Sequence, residues 1–147
     1  MSQQSWQQLF VLMGEQFGLG ALTLDEDNCC VLKIDEILVN LQISNDHLIM
    51  VGLITQIPQN PDSQFLEDLL ATNLYWGAAG CSLALEPNHR ALLLQDKLTP
   101  DTDLPTVLQR LENLVNAVEQ LQTSLTHEKS QVPPTEQNNK LFSGQRA

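Results

Sequence analysis

Large apolar residues at the start of the chain recur at steps of three and four. Trp6, Leu9, Phe10, Met13 and Phe17 mark one side of a helix predicted over residues 5–17. Gly18 and Gly20 end it, because glycine takes the left-handed geometry of a helix stop without a Cβ penalty. Leu22 and Leu24 predict a short strand, Asp25, Glu26 and Asp27 a turn, and residues 30–34 a short buried strand. After a tight connection at Asp35-Glu36 the period changes to two. Ile37, Val39, Leu41 and Ile43 alternate with Leu38, Asn40, Gln42 and Ser44, the pattern of a half-buried strand. A turn at Ser44-Asn45-Asp46 leads to a strand over residues 47–55, in which Gly52 marks a bulge or a close backbone approach.

Beyond the loop I-P-Q-N-P-D-S, Asp62 or Ser63 can cap a second helix running to about Tyr75. Phe65, Leu66, Leu69, Leu70 and Leu74 give it a broad apolar face. Residues 81–86 and 91–97 flank P-N-H-R as a hairpin, with Leu83 and Leu85 facing Leu92 and Leu94. The last helix is the most regular. Asp103 can cap it, Pro105 suits its first turn, and Val107, Leu111, Leu114, Val118, Leu121 and Leu125 repeat by four and three. The predicted order is α-β-β-β-α-β-β-α, an α+β domain over residues 1–127. Residues 128–147 are polar and proline-bearing, and are expected to be a disordered tail.

Charge narrows the partners. Eighteen acids against seven bases give a net charge of −11, which argues against nucleic acid and against anionic lipid. The N-terminus lacks the basic start and apolar run of a secretory signal, and no apolar stretch reaches the ~20 residues of a membrane helix. Three cysteines, an odd number, fit free thiols in a reducing compartment. The expectation is a soluble cytoplasmic protein without membrane insertion.

Candidate chemistry centres on D-E-D-N-C-C, where acids crowd two thiols. Adjacent strand residues point to opposite faces, so Cys29 and Cys30 cannot both hold one ion there without distortion. No C-x-x-C spacing, four-ligand zinc set or calcium-loop pattern accompanies them. Reactive thiols need electropositive surroundings, and these follow three acids. His47, His89 and His127 fall at a strand start, a turn and a helix end, with no nucleophile elbow nearby. No catalytic residue, cofactor or metal is expected. What remains is apolar surface: the strands carry apolar residues on both faces, the mark of an interface or of a tightly rolled sheet.

The stretch F-G-L-G-A-L-T-L-D-E-D-N-C-C-V-L-K-I-D resembles the opening of the class I type III secretion chaperones, the CesT- and SycE-like effector chaperones. L-I-M-V-G-L-I before the proline loop, the leucine-rich F-L-E-D-L-L-A-T-N-L-Y-W and the hairpin G-C-S-L-A-L-E-P-N-H-R-A-L-L-L-Q agree with that family in order and spacing. Together they cover residues 5–125. The cysteine pair, where one small or turn residue is usual, and the long polar tail depart from it.

The resemblance implies a strongly twisted antiparallel sheet flanked by three helices, in a homodimer. It implies a chaperone that keeps the N-terminal chaperone-binding segment of a secreted bacterial effector extended and secretion-competent, with the secretion-apparatus ATPase as a further partner. Strand addition at an open sheet edge plus pocket filling is the physical mode. On this basis the groove falls to Leu9, Leu12, Met13 and Phe17 of the first helix with Leu32, Ile34, Leu41 and Met50 of the strands. Charging both Leu32 and Ile34 is then expected to abolish effector binding in a folded dimer. The dimer seam falls to Phe65, Leu66, Leu69, Leu70 and Leu74, with Trp76 near its end. The alternative within the same resemblance is a regulator that sequesters another protein to couple secretion to gene expression.

Overall fold

The first helix, α1 (Gln3–Gln16), turns Trp6, Phe10 and Met13 into the core, as the three-and-four spacing predicts. In the computed structural model, which describes residues 3–18, 22–78 and 80–128, seven further elements follow. They are β1 (Cys29–Ile34), β2 (Ile37–Ser44), β3 (His47–Gln56), α2 (Ser63–Ala78), β4 (Ser82–Glu86), β5 (Ala91–Leu98) and α3 (Leu104–Glu128). Gly18, at φ +68°, ends the first helix, and its N–H donates to the Glu15 carbonyl at 3.2 Å. The predicted strand at Leu22 and Leu24 is not formed. The Asp25 N–H donates to the Cys29 carbonyl at 2.8 Å, closing a local turn directly after these residues. The two leucines pack sideways on the core. Gly20, the predicted disordered tail beyond Glu128 and the side chain of Trp76 lie outside the described residues.

The five strands form one antiparallel sheet in the order β1-β2-β3-β5-β4. Two-residue turns close its first two hairpins. Asp35 and Glu36 (φ 49° and 71°) and Asn45 and Asp46 (φ 52° and 64°) hold positive φ at both central positions, the type I′ geometry that matches strand twist. These turns set the register, and one row of partners, Leu32, Val39, Gly52, Leu94 and Leu83, crosses all five strands. That row faces α3. A Cβ on Gly52 would sit 2.7 Å from Val118 Cγ2, so the glycine marks a close approach of sheet to helix. The irregularity in β3 lies further along, between Leu53 and Thr55, where the Gln122 amide donates to the Ile54 carbonyl at 3.0 Å.

The core lies between this face and the helices, built from Trp6, Phe10, Leu41, Met50, Leu94, Leu111 and Leu114 among others. Asp62 Oδ1 accepts the Phe65 N–H at 2.8 Å and Asp103 Oδ1 the Thr106 N–H at 3.0 Å, so both predicted caps start their helices. Asp96 is the one buried charged residue among those described, and Arg110 of α3 grips its carboxylate with two donors, one at 2.7 Å. Among the described residues, no helix lies over the opposite sheet face. There Val31, Leu38, Ile49, Val51 and Leu93 are half-buried, and Leu53, packed with Leu38 and Leu93, is buried.

Candidate functional site

The acid–thiol cluster is a turn. Asp25 Oδ1 accepts the N–H groups of Asp27 at 2.8 Å and Cys29 at 2.9 Å, and Asn28 takes positive φ (60°) to complete the reversal. Burial pushes the Cys29 thiol above its ordinary pKa, and the carboxylates of Asp25 and Asp27 push it further. Cys81 is raised the same way, first by burial and then by Asp96. Neither thiol is poised as a nucleophile. Among the described residues, no three His, Cys, Asp or Glu side chains gather to hold a metal ion, and no helix is long and apolar enough to cross a membrane.

Binding surface is what the fold offers instead, starting with the two edges of the sheet. At the β4 edge, α2 lies alongside and Asn73 Oδ1 accepts the Leu83 N–H at 2.8 Å. A side chain therefore takes a donor that an added strand would use. The β1 edge differs. The pairing of Asn28 with Ile43 and the two-residue turn after Ile34 direct the main-chain groups of Cys30, Leu32 and Ile34 toward β2. Those of Cys29, Val31 and Lys33 point outward by the same alternation. Asp25 takes the N–H and C=O of Cys29, whereas Val31 and Lys33 have no main-chain partner on that side among the described residues. This is a short open edge.

The first helix supplies apolar surface. Its inner line, Trp6, Phe10 and Met13, is buried, and the Trp6 indole N–H pins the helix to the Asp46 carbonyl at 2.6 Å. Val11, Leu12 and Phe17 are exposed on its outer side, and Leu9 is half-buried between. The eight residues assigned to the groove from sequence thus separate. Met13, Leu32, Leu41 and Met50 are buried in the core; Leu12 and Phe17 are exposed; Leu9 and Ile34 are half-buried. Periodicity marks a wet–dry boundary without saying which dry residues lie deepest, and Val11 was passed over because it stands one step off the repeat.

The second helix carries the larger apolar surface. Leu70 is 71% exposed and Leu74 81%, with Leu66 and Tyr75 beside them and Leu85 of β4 also exposed. Phe65 and Leu69, assigned to the same seam, turn instead toward the core cluster and are half-buried. Tyr75 and Asn73 are the residues sequence reasoning did not assign. The only signal for Asn73 was its place near the end of the leucine-rich run.

With this geometry in view, the comparisons with known proteins are specific. The model of the Tir chaperone protein (CesT) family matches residues 8–122. The Tir chaperone of Escherichia coli O157:H7 is 30% identical over 111 residues, 68% of this chain and 70% of that protein. Among solved structures, the ExsC–ExsE complex superposes with a TM-score of 0.74 at 20% identity, over 84% of this chain and 96% of that one. The HopA1–SchA chaperone–effector complex follows at 0.70 and 18% identity, over 81% and 94%. These two share the fold. The chain belongs to the Tir chaperone protein (CesT) family.

Proposed function

We propose that this protein is an effector chaperone of type III secretion, acting as a homodimer and by binding rather than catalysis. The observation that carries the reading is the contrast between the sheet edges: at β4 the outward Leu83 N–H is taken by Asn73 of the adjacent α2, while at β1 Val31 and Lys33 are both open. An extended effector segment adds to that edge through main-chain hydrogen bonds and sets apolar side chains against Leu9, Leu12, Phe17 and Ile34. Ordering such a segment costs roughly 2–5 kcal/mol, and several apolar contacts on two protomers offset it. The relatives named Tir chaperone and the chaperone–effector complexes among the structural neighbours support the same reading.

The exposed line Leu66, Leu70 and Leu74 of α2 supports the dimer. Burying one leucine contributes about 1.5–3 kcal/mol, and a specific interface needs roughly 1,200–2,000 Å². A helix paired with its symmetry mate along this line, joined by Tyr75 and Leu85, suits that scale.

The test is a titration of the purified protein with N-terminal segments of effectors secreted by the same bacterium, read by calorimetry and protease protection. One segment is expected to bind at one copy per dimer and to resist proteolysis. A monomer that protects none of them overturns the reading.

A further inference from the structure

An open groove of about 1070 Å³ runs between α2 and α3 on the helical side of the sheet. Phe65 and Leu69 form one wall, Leu121 and Leu125 the other, and Leu83 and Leu92 the floor. It is a different face of α2 from the Leu66–Leu70–Leu74 line, since successive helical positions are turned by about 100°. The effector edge does not use it, and it adjoins the proposed dimer seam through Leu69, Leu83 and Leu92, which also line the pocket beside Leu66, Leu70 and Leu85. Two acids, Asp68 and Glu119, stand on its lining.

We infer that this groove is the docking site of the chain's own C-terminal segment, with Leu141 and Phe142 as its anchor. Three observations choose this occupant. The first is where the segment begins: α3 ends at Glu128, three residues after Leu125 of the groove wall. The second is reach. Leu141 lies thirteen residues beyond Glu128, a root-mean-square span of about 20 Å for a flexible chain. The groove wall from Asn113 to Leu125 is twelve helical steps, about 18 Å, so the anchor can lie anywhere along it.

The third is charge. Residues 129–147 hold three of the seven basic residues and one of the eighteen acids, leaving four bases against seventeen acids in residues 1–128. Two of those bases, Lys140 and Arg146, bracket the apolar pair. A basic, apolar-centred segment therefore meets an acidic domain at an apolar groove carrying Asp68 and Glu119. The segment cannot build a core alone, and a two-residue anchor flanked by two cations suffices to order it on a preformed groove.

A tether of this length supplies an effective concentration in the millimolar range. Docking is then populated if the free segment binds with a Kd of about 1 mM or tighter. The decisive measurement uses the chain ended after Glu128 and a synthetic peptide of residues 138–147, followed by NMR. Saturable shifts at Phe65, Leu69, Leu121 and Leu125 are expected, with at least about tenfold weaker binding for the peptide carrying Leu141→Ala and Phe142→Ala. No saturable shift at several millimolar peptide, or shifts confined to the first helix or to Leu66, Leu70 and Leu74, overturns the inference.

A second measurement uses the full chain, in case the shortened one folds poorly. Hydrogen exchange of the first half of α2 is expected to quicken when Leu141 and Phe142 are changed to alanine. Protection unchanged by that variant but lost on dilution assigns the groove to a second copy of the chain, and also overturns the inference. Loss of effector binding in any variant tests the proposed function separately, because the first helix and the β1 edge are untouched.

Discussion

The Leu83 amide donates to Oδ1 of Asn73 at 2.8 Å, a bond from a strand to the helix that lies against it. It takes one outward main-chain donor of the β4 edge out of use. Replacing Asn73 with alanine removes about 1 kcal/mol of hydrogen bonding and leaves a main-chain donor of an edge strand unpaired. Light scattering of Asn73→Ala is expected to show self-association beyond the wild-type state, at a melting temperature only a few degrees lower. A variant as well-behaved as wild type sinks this account of the closed edge.

In the proposed reading effector binding and dimerisation fall on different residues, so variants are expected to separate them. Leu12→Asp with Phe17→Asp is expected to lose the effector segment while remaining dimeric, since both side chains are exposed. Leu70→Glu with Leu74→Glu is expected to yield folded monomers. Analytical ultracentrifugation and circular dichroism together distinguish these outcomes from unfolding. Leu32, expected from sequence to line the groove, is only 5% exposed, so charging it damages folding first. Ile34 alone is the strand position for this experiment.

Gly52→Ala tests the packing of α3 on the sheet. The new methyl meets Val118 Cγ2 at 2.7 Å, and a helical valine has little rotamer freedom with which to yield. Denaturant titration is expected to show a loss of about 1–3 kcal/mol. Adding Val118→Ala makes room and is expected to recover part of that loss, a coupling readable from the double-mutant cycle.

Asp96 and Arg110 join β5 to α3, and the carboxylate is 3% exposed. The hydrogen bonds to Asp96 hold the Arg110 guanidinium pKa above its usual value. Asp96→Ala leaves that cation without its partner. The guanidinium side chain is about a third exposed, so water screens part of the loss, and about 1.5–3 kcal/mol is expected rather than the cost of a fully buried pair. Chemical denaturation measures it.

Cys29 is expected to be a slow nucleophile. Burial first, then Asp25 and Asp27, raise its pKa, so the folded protein holds the thiol proton more tightly than the unfolded chain. The sign follows: this preference stabilises the fold below the unfolded thiol pKa, about 8.5, and is lost as pH rises through the higher folded value. Alkylation mapped by mass spectrometry is expected to be slower at Cys29 in the folded than in the denatured protein at pH 8. Asp27→Asn is expected to quicken it.

Local rules carry much of this molecule. Alternation in β2, the three-and-four repeat of α3, the two aspartate caps and the facing of Leu83 and Leu85 against Leu94 and Leu92 all follow from neighbours within a few residues. So does the turn at Asp25, whose hydrogen bonds close within four residues. Leu22 and Leu24, just before that turn, pack on the core without joining the sheet. The family was legible as well, because its marks are spacings along the chain.

The depth of each apolar residue was not legible. An apolar position records that a side chain leaves water, not whether it meets its own core, a second copy or another protein. Met13 and Leu12 are adjacent in the chain, yet one is buried and the other exposed, because α1 rolls to seat Trp6 and Phe10 on the sheet. The leucines of α2 divide likewise, Leu69 toward the core and Leu70 toward solvent, once β4 and α3 claim one side of the helix. The open edge at β1 and the capture of the Leu83 N–H at the β4 edge depend on strand order and on one side chain, Asn73. Those are contacts between elements distant in sequence, and only packing the elements together decides them.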